Sequence, residues 1–198
     1  MDAAASSPVE QLSDKQSAKR RSAAKRLGKL GERAAGPALL EALRAELRDE
    51  RTWETQYEMA RALGLCGYAE ALPFLRELAG RPFAATAVLA AVGEAVVRLA
   101  PDPEEAALWC LEQGPDMLAD GALRAVALLE LVPPEGTVAQ ILDFAERHPP
   151  EHHLRYWPAV AAARWPGRRT RSYLKKCARG PREDVAEAAR ASLSRATS

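Results

Sequence analysis

Apolar residues recur along this chain at the three- and four-residue spacing of a helix, in segments of roughly 10 to 19 residues punctuated by Gly and Pro. The pattern predicts one set of helices, called A, near residues 16–34, 52–66, 84–99, 116–132, 152–165 and 182–196. A second set, B, falls near 37–48, 70–79, 103–113, 136–147 and 168–179. Ala, Leu, Arg and Glu dominate while β-branched residues are sparse, so the expectation is all-α with no sheet.

The helices come in pairs because the sequence repeats. Ala24 to Leu39, AKRLGKLGERAAGPAL, and Ala60 to Leu75, ARALGLCGYAEALPFL, share the frame A-x-x-L-G-x-x-G-x-x-x-x-x-P-x-L at a displacement of 36 residues. The same step from Leu63 reaches Leu99, and weaker echoes follow at Leu131 and Trp165, with spacings of 32 and 34. A period in this range marks a helical solenoid, since one helix pair cannot hide its apolar face and must stack on neighbours. The glycine lets helix A end in a left-handed conformation, and the proline suits the first turn of helix B.

The ALGxxG and LPxL module at Ala62 to Leu75, its partner at Arg26 to Leu40, and EDVAEAARASL at Glu183 to Leu193 resemble the HEAT-repeat family, in particular its short bacterial, PBS-lyase-like form. The resemblance spans about residues 16–196 and implies a right-handed α-α superhelix of about five helix pairs plus a terminal helix. Residues 15–198 then form a single repeat domain, and residues 1–14 a disordered tail. The resemblance also implies that the B helices line the concave surface. It leaves function open, because the family hosts scaffolds, chaperones, lyases and DNA-repair enzymes.

Composition narrows this further. The net charge of +1 hides an asymmetry: residues 1–48 carry ten Lys/Arg against six Asp/Glu, residues 49–148 seven against seventeen, and residues 149–198 eleven against four. An acidic middle disfavours a nucleic acid wrapped along the whole groove. Cys66, Cys110 and Cys177 lie far apart with no CxxC pair, which argues against a disulfide framework and a thiolate metal site. The longest apolar stretch, Ala84 to Val97, is broken by Gly93 and Glu94 and is too short to span a bilayer, so a cytoplasmic protein is expected.

Catalytic constellations are not legible. The HEAT-type hydroxylases with a di-iron centre are expected to carry repeated His-Glu pairs, whereas the three histidines here, His148, His152 and His153, flank Pro149 and Pro150. No metal, cofactor or catalytic residue is assigned. The cysteines are expected in the core rather than activated.

Two surfaces stand out instead. On a helical wheel Trp53 and Tyr57 share an arc with Ala60, Leu63 and Gly64, and Gln56 falls on that apolar arc, where a buried amide requires a hydrogen-bond partner. Trp53 and Tyr57 replace Ser17 and Arg21 of the first unit, a size that the repeat does not require. On the last B helix Arg168, Arg171, Lys175 and Arg179 gather within about 80° of one another, opposite Tyr173, Leu174 and Cys177. A second basic stripe, Lys15, Lys19, Arg26, Lys29 and Arg33, follows the first A helix. The sequence thus predicts a non-enzymatic scaffold or adaptor holding a protein partner of complementary charge on its concave surface, the basic C-terminal part taking an acidic segment and the acidic middle a basic one, with Trp53, Gln56, Tyr57, Arg168, Arg171, Lys175 and Arg179 as candidate contacts. The alternatives are a nucleic-acid-binding relative of DNA alkylation repair proteins, using the basic ends, and a lyase-type enzyme or chaperone.

Overall fold

A computed structural model describes residues 7–195. Among them there is no strand, and the helices run α1 (Pro8–Gln11), α2 (Ser17–Leu30), α3 (Gly36–Glu46), α4 (Trp53–Leu65), α5 (Leu72–Ala79), α6 (Ala87–Leu99), α7 (Pro103–Glu112), α8 (Asp116–Leu128), α9 (Glu135–Arg147), α10 (Tyr156–Ala161), α11 (Arg168–Cys177) and α12 (Glu183–Arg195). The even-numbered helices from α2 are the A set, the odd-numbered from α3 the B set, giving five pairs and a terminal helix as expected.

The repeat signature acts at the turns. Gly31 and Gly67 sit at φ of 67° and 66°, in the left-handed region that glycine enters without penalty, and Pro37 and Pro73 occupy the first turns of α3 and α5. The third unit uses other chemistry: α6 stops before Pro101, and Asp102 caps α7 by accepting from the Glu104 and Glu105 amides at 3.0 and 2.9 Å. In the fourth unit Glu130 takes the left-handed position, at φ 53°.

Residues 7–12 correct the expected tail. Ser7 Oγ accepts from the Glu10 amide while the Glu10 carboxylate accepts from the Ser7 amide at 2.8 Å, a capping box that closes α1, and Leu12 is buried in the core. Leu12 supplies the apolar anchor that holds this turn on the end of the stack. Residues 1–6 lie outside the described residues.

The two layers are not equally spaced. Each A helix packs along its length on the next, and the closest approach joins α6 to α8. A Cβ added at Gly93 would overlap the Leu118 carbonyl, and one at Gly121 would overlap the Ala90 carbonyl, so these helices touch backbone to backbone. Gly64 sets the α4 to α6 spacing, where a Cβ would lie 2.8 Å from Ala95 Cα. The B helices meet one another only sparsely. Side chains fill the wider gaps: the Arg44 guanidinium covers Phe74 at 5.1 Å and Arg76 covers Trp109 at 5.2 Å, cation–π contacts from α3 to α5 and from α5 to α7. A stack whose A layer is tight and whose B layer is splayed bends toward the A side.

Candidate functional face

The bend places α4, α6 and α8 side by side on an inner surface, with α6 almost wholly buried between its neighbours. Glu94 points from α6 toward this surface yet is fully buried. Three guanidiniums converge on it: Arg98 Nε from the same helix at 2.9 Å, Arg61 Nε from α4 at 3.6 Å, and Arg124 Nη2 from α8 in direct contact. Arg124 Nη1 also donates to the Tyr57 hydroxyl at 3.0 Å, so side chains of α4 and α8 meet across α6.

Burial alone would push the Glu94 carboxyl up, but the hydrogen bonds and charges of Arg124 and Arg98 outweigh it and hold the group below the ordinary carboxylate value. The three guanidiniums therefore favour the anionic form of Glu94 in spite of its burial. The Arg124 Nε–H is buried without a partner, which leaves donor capacity beside the Tyr57 hydroxyl.

The face extends both ways from this hub. Toward the N-terminus an open groove of about 550 Å³ is lined by Arg21, Lys25, Trp53, Tyr57 and Glu58, with an Arg21–Glu54 ion pair bridging α2 to α4. Toward the C-terminus the half-buried Asp120 of α8 lies beside Trp157 of α10, and burial pushes its carboxyl up despite His153, Arg124 and the indole. Tyr156 and Trp157 pack edge to face at 4.9 Å, and a second open groove runs past Tyr156 and Val160 to α12.

The sequence candidates separate under this geometry. Trp53 is 39% exposed and Tyr57 half-buried, both on the inner face, rather than in the core arc with Ala60 and Leu63; the buried arc of α4 centres on Gln56, Met59, Ala60 and Leu63. Gln56 is buried, and its Nε2 donates to the Glu46 and Asp49 carbonyls at 3.2 and 2.9 Å, so it tethers the α3–α4 turn. Arg168, Arg171 and Lys175 on the last B helix, and Arg179 in the turn that follows it, are exposed at the far end. The tight A layer makes the B layer the outer one, which overturns the expectation that these four line the concave surface. Lys19 and Arg33 of the other basic stripe are paired with Asp14 and Glu70 at 3.4 and 2.7 Å, an ordinary charged cap.

The Glu94 hub was missed, and a signal for it existed: a lone carboxylate inside the apolar run Ala84 to Val97 had to find cations. What hid it was that Arg61 and Arg124 come from other repeats. The cysteines are buried, and Cys110 is pushed up to about 12 by burial, far from a thiolate. Among the described residues no group of three or more His, Cys, Asp or Glu side chains is placed to hold a metal ion, and no helix is long and apolar enough to cross a membrane.

Residues 19–45, running from α2 through α3, match the family model described as the PBS lyase HEAT-like repeat. Those residues are one HEAT-like repeat within an all-α stack of helix pairs. Among solved structures, human deoxyhypusine hydroxylase in complex with glycerol is similar to the HEAT-like chain over 96% of its length and 83% of that chain, at 20% identity and a TM-score of 0.39. A search of the curated proteins found no match.

Proposed function

We propose that this HEAT-like protein is an adaptor without catalytic activity that holds a protein partner on the inner face of its A layer. The observation that carries the reading is the mixture on that face: Trp53, Tyr57, Tyr156 and Trp157 stand part-exposed among the guanidiniums of Arg61, Arg98 and Arg124. Trp, Tyr and Arg are the residues that dominate binding energy at protein interfaces, because each presents a large, stiff contact with a polar end. The ion pairs and the Tyr57–Arg124 hydrogen bond fix these side chains before a partner arrives, which lowers the ordering cost of association.

Trp53 and Lys25 suit a test because both stand apart from the Glu94 contacts. Affinity capture from native lysate is expected to recover a defined protein with the parent chain and to lose it with Trp53→Ala/Lys25→Glu, at an unchanged melting temperature. Equal recovery by both chains places the partner elsewhere.

A further inference from the structure

The cations of α11 and the residue just beyond it divide by what they touch. Arg169 bonds Asp143 at 2.6 Å and also Glu146, and Lys176 Nζ bonds Glu146 at 2.9 Å, so the carboxylates on the adjoining edge of α9 are already neutralised. Arg168, Arg171, Lys175 and Arg179 are exposed, and among the described residues none of them has an ion-pair or hydrogen-bonding side-chain partner. The helix cannot rotate to relieve this. Thr170, Tyr173, Leu174 and Cys177 are buried on its opposite side, and the Tyr173 hydroxyl donates to the Arg155 carbonyl at 3.0 Å. Four like charges at helical spacing repel one another, and no anion among the described residues compensates them.

Their spacing limits what fits. At 1.5 Å rise per residue, Arg168, Arg171 and Lys175 stand in steps of about 4.5 and 6 Å along α11, and Arg179 follows in the turn past Cys177. An extended polypeptide advances about 3.3 Å per residue with alternate side chains on one side, so acids at every second position recur about every 6.6 Å. That is close to the step from Arg171 to Lys175. Nucleic acid is a poorer match: Tyr173 and Trp165 are buried, leaving no ring among the described residues of this surface for a base to stack on.

We propose that the outer face of α11 is a second docking surface, separate from the inner face, for a short acidic polypeptide segment with carboxylates at alternate positions. Arg168, Arg171, Lys175 and Arg179 supply charge-assisted hydrogen bonds to that segment.

The test is a titration of the full chain, read by fluorescence anisotropy, with a labelled peptide of alternating Glu and Ser and, separately, a single-stranded DNA of equal charge. The expected result is peptide binding that Arg168→Glu/Arg171→Glu/Lys175→Glu weakens by about tenfold or more, and that Trp53→Ala/Lys25→Glu leaves unchanged. Should the triple variant fold poorly, Arg171→Gln/Lys175→Gln is expected to give a smaller loss in the same direction. Three outcomes each overturn the proposal: no peptide binding to the parent chain, undiminished binding by the folded variants, or DNA binding tighter than peptide and lost with the same substitutions.

Discussion

Replacing Glu94 by Gln keeps the side chain's shape and removes its charge, leaving Arg61, Arg98 and Arg124 facing a neutral amide. Breaking a buried ion pair on one side destabilises by about 3 kcal/mol or more, because the remaining charge is desolvated without compensation. Chemical denaturation of Glu94→Gln is expected to show a loss of that size, and a loss under about 1 kcal/mol, well below the usual range for a buried pair, would remove the hub as a structural centre. The same group sets an acid limit. Its folded pKa lies below its unfolded value, so its contribution is present above the ordinary 4.5 and is lost as pH falls through the folded value. The stability difference between the parent and Glu94→Gln is therefore expected to shrink in acid. Tyr57→Phe removes one hydrogen bond and is expected to cost about 1 kcal/mol. His148 behaves in the same sense: burial first, and the His152 charge next, hold it below 6.5, in a ring stack with His152 at 4.6 Å. Protonation is thus resisted in the fold, its contribution is lost as pH falls below 6.5, and His148→Phe is expected to flatten melting temperature against pH in that window.

At the scale of helices, close approach and turn conformation decide what the chain tolerates. Gly121→Ala would place a methyl on the Ala90 carbonyl and force α6 from α8, a cost expected at about 1–3 kcal/mol in spite of alanine's better helix propensity. Glu130→Gly should act oppositely. A left-handed residue other than glycine costs about 1–2 kcal/mol, and the ion pair with Arg164 that this substitution removes is solvent-exposed. A rise of about 2–4 °C in melting temperature is expected, and a fall would mean that the Glu130–Arg164 pair matters more than the backbone.

These elements also show what sequence makes legible. The Gly-and-Pro frame locates α2 to α5 because turn chemistry is local, and the apolar spacing places the later helices to within a few residues. Trp53 and Tyr57 stand out in the sequence by their departure from the repeat, although a wheel drawn for one helix assigns them to the core. A wheel cannot say which neighbours cover an arc. The Glu94–Arg61 and Glu94–Arg124 contacts join different repeats, and α11's place on the outer side depends on the unequal spacing of the layers. Both are properties of packing between repeats, to which a pattern within one repeat is blind.

For the whole molecule, the tight A layer and splayed B layer turn a charge-mixed, aromatic-bearing surface inward and a basic one outward. A photo-crosslinking residue introduced at Ser22 or Glu58 would sit in the inner groove, and one at Glu77 or Glu105 would sit on exposed B-layer positions clear of α11. Irradiation in native lysate is predicted to give one discrete protein adduct from Ser22 and Glu58 and none from Glu77 and Glu105. Adducts from the B-layer positions alone, or alike from all four, would contradict an inner binding face.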